Sequence, residues 1–157
     1  RNKEQGTRNG ERGTGNLYFC AMARIMAIDF GRKRCGIAVT DPLKIAVNPL
    51  ETVSTSNLLE YLKIYLKKEE VELIVLGMPF HADGNPMEIS RDINKMAGRI
   101  QKAFPYVKID FQDENYTSQR ASKILVEAGV PKSKRREKGR LDKLSAVLIL
   151  QEYLGHI

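Results

Sequence analysis

The sequence has little cysteine and no long apolar run. Its 157 residues include two cysteines, Cys20 and Cys35, which have no metal-ligand spacing and form no disulfide framework. This cysteine usage favours a reducing, cytosolic setting. The longest unbroken apolar stretches, such as Ala146–Leu150, are far below the ~18 residues that a membrane span requires. The sequence therefore predicts a cytoplasmic protein without a membrane segment.

The first 21 residues differ in composition from the rest. Residues 1–15 mix Gly, Asn, Arg and Thr without apolar periodicity, and residues 16–22 (NLYFCAM) resemble a protease site for tag removal followed by a cloning junction. We interpret residues 1–21 as vector-derived, with a natural flexible arm as the alternative. Residues 22–157 are then predicted to form a single domain, since their number suits one hydrophobic core.

The charge balance is basic. The chain carries 26 Lys and Arg against 19 Asp and Glu, a formal net charge of +7. Four of the basic and two of the acidic residues lie in residues 1–21, which leaves +5 for residues 22–157. A basic surplus predicts an anionic partner, most often a nucleic acid.

The apolar pattern predicts an α/β fold. Three β-runs at residues 25–29, 36–40 and 47–53 indicate an antiparallel β1-β2-β3 meander. Later strands are predicted at residues 71–78 and 107–111, and helices at residues 58–66, 89–104, 117–128 and 141–154. The order β-β-β-α-β-α-β-α-α predicts a mixed five-stranded sheet, parallel beyond the meander and flanked by helices.

Three carboxylates stand where this pattern does not require them. Asp29 ends the first strand, Glu114 follows the fifth together with Asp113, and Asp142 lies on the apolar face of the last helix. If the strands of Asp29 and Glu114 are parallel, their carboxyl ends share one edge of the sheet. Clustered carboxylates suit Mg²⁺ or Mn²⁺, and two such ions can activate water for phosphodiester cleavage. Each acid alone also fits a simpler role in a turn, a loop or a helix start.

Two basic runs flank these carboxylates in the sequence. One is a tight turn beside Asp29, and the other is a connector at residues 132–140. Basic side chains around a nuclease site bind the nucleic-acid backbone without sequence preference, although such runs are also common on ordinary solvated surfaces. The predicted nucleic-acid-binding residues are Arg32, Lys33, Arg34, Lys134, Arg135, Arg136 and Arg140.

Four ordered motifs resemble those of the YqgF/RuvX family. They are residues 28–41 (IDFGRKRCGIAVTD), 77–79 (GMP) with 83–84 (DG), 113–118 (DENYTS) and 142–146 (DKLSA). The resemblance implies an RNase H-like fold and a metal-dependent nuclease whose catalytic and metal-binding acids are Asp29, Glu114 and Asp142. The family is described as processing the 5′ end of precursor 16S rRNA and was earlier regarded as a Holliday junction resolvase. Asn115 departs from the pattern, because the family usually has Arg there, and a weaker phosphate or supporting contact is expected.

Four functions remain open at this point. The first is an endonuclease on structured RNA, and the second is a resolvase of four-way DNA junctions, which would need a symmetric dimer. The third is an ATP-binding protein of the actin and sugar-kinase type, suggested by Asp29, Gly31 and Gly36 but disfavoured by the short chain. The fourth is a nucleic-acid-binding module without activity. The sequence leaves open the choice between Mg²⁺ and Mn²⁺, between RNA and branched DNA, and between monomer and homodimer.

Overall fold

The sheet has the mixed topology that the sequence predicts. A computed structural model describes residues 22–157 except 81, 82, 84, 86, 115, 116, 136 and 138. Within these residues, five strands form one sheet in the order β3-β2-β1-β4-β5. Strands β1, β2 and β3 are antiparallel neighbours, while β4 runs parallel to both β1 and β5. The strands are β1 Arg24–Phe30, β2 Arg34–Thr40, β3 Val47–Ser54, β4 Val71–Met78 and β5 Lys108–Asp113. The assignment of residues 1–21 to a vector lies outside the described residues and stays a prediction.

The helices lie on both faces of the sheet. After a 3-10 turn at Thr55–Asn57 they are α1 Leu58–Lys68, α2 Ile89–Ala103, α3 Thr117–Glu127, α4 Lys132–Arg135 and α5 Arg140–Tyr153. The short helix α4 lies in the segment for which the sequence predicted only a connector. Strand β5 continues two residues beyond the predicted end, which places Glu114 directly at its carboxyl end. No helix among the described residues is long and apolar enough to cross a membrane.

Successive side chains of β1 point to opposite faces of the sheet, so each one packs with the helices on one face or the other. Met26, Ile28 and Phe30 pack in the core cluster that includes buried residues of α1 and α2. Ala27 points to the opposite face, where it packs in the cluster formed with α5. Asp29 follows Ala27 by two residues and therefore lies on the α5 face, at the carboxyl end of the strand.

Small residues on this face let α5 approach the sheet closely. A Cβ atom added to Gly36 of β2 would lie under 3.0 Å from the carbonyl oxygen of Asp142, so the α5 backbone touches the sheet at this point. Gly36 is the cross-strand partner of Asp29. The glycine therefore brings the start of α5, with Asp142, next to Asp29.

The start of α5 is fixed to the edge strand β3. Gly139 precedes the helix with a left-handed φ of 97°, a conformation that favours glycine. The Thr52 hydroxyl donates a hydrogen bond of 2.9 Å to the carbonyl oxygen of Gly139. Because a Cβ at Gly139 would lie 2.8 Å from Thr52 Oγ1, this contact also requires a residue without a side chain.

Candidate functional site

Asp29 is a partly buried carboxylate at the carboxyl end of a central strand. Burial raises the pKa of Asp29, the nearby Asp142 carboxylate raises it further, and the Ser145 hydroxyl lowers it in part. Asp142 and Ser145 are three residues apart on α5 and so face the strand together. Asp29 and Asp142, which the sequence places 113 residues apart, thus belong to one site.

Glu114 reaches the same site from the end of β5. Its backbone N–H donates a 3.0 Å hydrogen bond to the carbonyl oxygen of Met78 at the end of β4. The side chain lies over Gly77, where an added Cβ would be only 2.6 Å from Glu114 Oε2. Burial raises the pKa of Glu114, and the negative charges of Asp29 and Glu152 raise it further. Because Gly77 has no side chain, the Glu114 carboxylate can lie over β4 and approach Asp29.

Asp142 is held by an arginine from β2. Arg34 Nε donates to Asp142 Oδ2, and Arg34 lies two residues before Gly36 on the α5 face of the sheet. The Asp142 side chain keeps 20% of its surface exposed, against 44% for Arg34. The carboxylate is therefore turned inward, while its cationic partner remains open to solvent.

A fourth carboxylate, Glu152, was missed by the sequence analysis. It follows Asp142 by ten residues on α5, about 15 Å along the helix, and lies near Glu114. Arg120 of α3 forms an ion pair with it, and only 16% of the Glu152 side chain is exposed. Its spacing of seven residues from Ser145, two turns of the helix, was the available signal. We call these four acids the carboxylate row; in spatial order they are Asp142, Asp29, Glu114 and Glu152.

The carboxylate row has the chemistry of a site for a hard divalent cation. Burial raises the pKa of both Asp29 and Glu114, and neighbouring carboxylates raise it further: Asp142 for Asp29, and Asp29 and Glu152 for Glu114. A bound cation would relieve this repulsion. All the donors are carboxylate oxygens, as Mg²⁺ and Mn²⁺ prefer. Among the described residues, no three His, Cys, Asp or Glu side chains are arranged to surround one ion, and Asp142 is engaged with Arg34. The donor set fits the metal, and a metal ion that uses Asp142 Oδ2 would compete with Arg34 for this oxygen.

The first basic run adjoins the carboxylate row, but its members point in different directions. Arg34 lies on the α5 face, whereas Arg32 forms ion pairs with Asp92 at 3.0 Å and Glu88 at 3.5 Å at the start of α2. Lys33 is exposed in the turn between them. Only Arg34 is in direct contact with a predicted catalytic acid.

The second basic run spans α4 and the start of α5. Lys134 and Arg135 belong to α4, and Arg140 forms an ion pair of 3.1 Å with Glu137. Within the described ranges, no hydrogen bond or ion pair links these three residues to the row. Arg136, and with it the departure at Asn115, falls outside the described residues.

The sequence is similar to that of a described protein family and to those of bacterial proteins. A sequence model of the family described as "RuvX: Holliday junction resolvase" matches residues 23–156. A Porphyromonas gingivalis protein named "Putative pre-16S rRNA nuclease" is 47% identical over 135 residues, which cover 86% of this chain and 98% of that protein. An Amoebophilus asiaticus protein of the same name is 47% identical over 134 residues, or 85% of this chain and 95% of that protein.

Solved structures show the same fold at low sequence identity. Thermus thermophilus RuvC, in complex with a Holliday junction substrate, superposes with a TM-score of 0.52 at 16% identity and covers 85% of this chain and 96% of its own. The Fowlpox virus resolvase, also in a Holliday junction complex, has a TM-score of 0.52 at 12% identity, over 85% of this chain and 97% of its own. These likenesses confirm the RNase H-like fold. Together with the family match, they show that the chain belongs to the RuvX family of nucleases.

Proposed function

We propose that this protein is a metal-dependent endonuclease that cleaves structured RNA and trims the 5′ end of precursor 16S rRNA in the cytoplasm. The carboxylate row at the carboxyl edge of the sheet is the observation that carries this proposal. Asp29 and Glu114 are partly buried, the charge of Asp142 raises the pKa of Asp29, and the charge of Asp29 raises that of Glu114. This arrangement costs stability unless a cation binds among the carboxylates. Such acids are expected where function rather than packing selects the residue.

The roles of the acids follow from their positions. Asp29, Glu114 and Asp142 would hold Mg²⁺ or Mn²⁺, which would supply Lewis acidity and an activated water for attack on phosphorus. Asp29 and Glu114 are fixed by strand ends, and Asp142 is fixed by the close approach of α5 to Gly36. Because Arg34 is exposed beside Asp142, its guanidinium would bind a backbone phosphate that enters the site.

The RNA substrate is supported by the names of the relatives, and a branched DNA substrate by the description of the family. The two substrates make different demands on the protein. A junction resolvase makes paired cuts related by a two-fold axis and therefore acts as a symmetric dimer. An RNA-trimming nuclease makes one cut and needs a single carboxylate row.

The test compares both substrates with one protein preparation. We expect Mg²⁺ or Mn²⁺ to support cleavage of a precursor 16S rRNA 5′ fragment, EDTA to stop it, and a four-way DNA junction to react much more slowly at the same salt concentration. Glu114→Gln should lower the rate at least about 100-fold, as loss of one transition-state electrostatic contact does. Asp113→Asn is the matched control, because this neighbouring carboxylate lies on the opposite side of the strand. Equal rates for Glu114→Gln and the parent would refute the assigned site.

A depletion experiment tests the substrate in the cell. Wild-type protein should restore correct 16S rRNA 5′ ends in depleted cells, and Asp142→Asn should not. Correct ends in cells that express only Asp142→Asn would show that another enzyme trims this RNA. Faster cleavage of the junction than of the RNA would favour the resolvase instead.

A further inference from the structure

The outer face of α2 carries a line of basic side chains that the carboxylate row does not explain. These residues are spaced by four, four and three positions, so they lie on one side of the helix. The opposite side of α2 is buried in the core through Ile93, Met96 and Ile100. We call this line of basic residues the α2 stripe; its four exposed members are Arg91, Lys95, Arg99 and Lys102.

The α2 stripe is not neutralised by neighbouring acids. Among the described residues, none of its four members takes part in an ion pair. The only acid within α2 is Asp92, and its carboxylate is already paired with Arg32. An unpaired row of like charges is unfavourable in the free protein and becomes favourable when an anion binds along it.

The stripe begins near the edge of the sheet that holds the carboxylate row. Arg32, three residues after Asp29, is joined to the first turn of α2 through its ion pairs with Asp92 and Glu88. Arg32, Lys95 and Arg99 together line a cleft of about 290 Å³. The cleft is large enough to admit a phosphate group. Asp92 also lines it, but its carboxylate is paired with Arg32.

The length of the stripe suits a nucleic-acid strand. Arg91 and Lys102 are eleven residues apart, which corresponds to about 16 Å along a helix. A strand of a DNA duplex carries one phosphate per about 3.4 Å of helix axis. The phosphates of an RNA duplex lie closer along the axis, so the stripe can follow about five or more of them. A regular line of cations is suited to the backbone of a double helix, which carries phosphates at regular intervals.

We propose that the α2 stripe and Arg32 form a second phosphate-binding surface, which holds a double-helical arm of structured RNA beside the cleavage site. This inference rests on the proposed function, because it assumes that the substrate is RNA. The contacts give affinity and orientation without reading base sequence. The surface thereby favours RNA in which a paired arm adjoins the strand that enters the carboxylate row.

The test compares two charge reversals with the same spacing. Lys95→Glu/Arg99→Glu changes the α2 stripe, and Lys63→Glu/Lys67→Glu changes two exposed lysines of α1, four residues apart, by the same total charge. Binding is measured by fluorescence anisotropy in EDTA, which prevents cleavage. The two probes are a 16-base-pair RNA hairpin with a single-stranded 5′ extension and the extension alone. Circular dichroism establishes that each variant is folded.

We expect the α2 variant to bind the hairpin at least about tenfold more weakly than the parent does. It should bind the single-stranded extension alone with the same affinity as the parent. The slope of log K against log salt should become shallower by about 1.4–1.8, which is the loss of two phosphate contacts. The α1 variant should stay within about twofold of the parent. If Lys95→Glu/Arg99→Glu does not fold, Lys95→Gln/Arg99→Gln should give the same selective loss for the hairpin at smaller amplitude.

Two results would overturn the inference: unchanged hairpin binding by the α2 variant, or equal weakening by the α1 and α2 variants, which would indicate only long-range charge. Failure of the proposed function is a separate result, because binding is measured without metal. Selective hairpin binding without metal-dependent cleavage of any RNA would refute the nuclease proposal and leave the surface in place. Where cleavage is measurable, the α2 variant should raise KM and leave kcat unchanged.

Discussion

Arg34 of β2 and Asp142 of α5 form an ion pair at the mouth of the carboxylate row. The pair joins one predicted phosphate-binding residue to one predicted metal ligand. Asp142 cannot give the same carboxylate oxygen to Arg34 and to a metal ion, so the two compete for it. A phosphate that draws Arg34 away would free Asp142, and we therefore expect a metal ion and nucleic acid to bind cooperatively through this residue.

Replacing Arg34 with Gln should therefore strengthen metal binding in the absence of RNA. We expect Mn²⁺ to bind Arg34→Gln about tenfold more tightly than the parent, because Asp142 no longer has a competing cation. The same variant should bind structured RNA more weakly, since one phosphate contact is lost. Isothermal titration with Mn²⁺, with and without a non-cleavable RNA, measures both effects.

The matched control for this variant is Lys63→Gln, which removes one positive charge from the exposed face of α1. It should leave Mn²⁺ affinity unchanged. If Arg34→Gln binds Mn²⁺ no better than Lys63→Gln does, Arg34 does not compete with the metal. RNA should raise the Mn²⁺ affinity of the parent, and this increase should be much smaller in Arg34→Gln.

The metal-free protein should lose stability as the pH rises. The pKa of Asp29 is raised from 3.8 to about 7, and that of Glu114 from 4.5 to about 8. Between about pH 4 and pH 8 the folded state therefore binds more protons than the unfolded state, so its stability falls with increasing pH through these two groups. Asp29→Asn removes one charge of the pair and should raise the Tm at pH 8 by about 5 °C in EDTA.

The same substitution should abolish activity, with a loss of at least about 100-fold. Scanning calorimetry in EDTA at pH 5 and pH 8 gives the comparison. The Tm gain should be roughly a third as large at pH 5 as at pH 8, because the difference in proton binding between the folded and unfolded states of the parent accumulates from about pH 4 to about pH 7. A Tm gain equal at both pH values would show that packing rather than charge is responsible.

The sequence predicted Asp29, Glu114 and Asp142 because each interrupts a regular apolar pattern. Their proximity required the parallel relation of β1, β4 and β5, which the order of elements predicted and the structure has. Glu152 was missed because an acid in the last turns of a helix is usually solvated. It approaches the site only because α5 lies across the sheet, and that close packing depends on tertiary contacts.

The basic runs show the same limit of local patterns. Arg32 and Arg34 are only two residues apart. Arg34 lies in β2, two residues before Gly36, so both residues face the same side of the sheet. Arg32 precedes the strand, and its side chain forms an ion pair with Asp92 of α2. The alternation of side chains along β2 could have assigned Arg34 to the α5 face from the sequence. The ion pairs of Arg32 could not be predicted, because they depend on where α2 begins in three dimensions.

Glu152 and Arg120 should shift the pH dependence of cleavage in opposite directions. The charge of Glu152 raises the pKa of Glu114, so Glu152→Gln should lower this pKa and move the acid limb of kcat/KM to lower pH. Arg120→Gln leaves Glu152 without its cation and should move the limb to higher pH. The pH profile at saturating Mg²⁺ measures both shifts.

The control is Glu127→Gln, at an exposed position of α3, which should cause no shift. A common shift of the acid limb in all three variants would exclude a specific role for Glu152.

Gly77 tests whether the exact place of the Glu114 carboxylate matters. An added Cβ would lie 2.6 Å from Glu114 Oε2 and 2.7 Å from Ile149 Cδ1, which are both side-chain ends that can move. Gly77→Ala should therefore fold and yet lose about 100-fold in kcat, because a displacement of about 1 Å in a catalytic group has an effect of this size. Single-turnover cleavage and Mn²⁺ titration measure the loss.

The control for Gly77→Ala is Gly98→Ala in α2, where an added Cβ meets no atom within 4 Å. It should stabilise the protein by about 0.5–1 kcal/mol, because alanine favours a helix interior over glycine, and it should leave cleavage unchanged. Gly77→Ala should also bind Mn²⁺ more weakly, since Glu114 can no longer lie over β4 towards Asp29. Normal Mn²⁺ affinity and normal kcat in Gly77→Ala would show that Glu114 acts from another position, and the carboxylate row would then lose its third member.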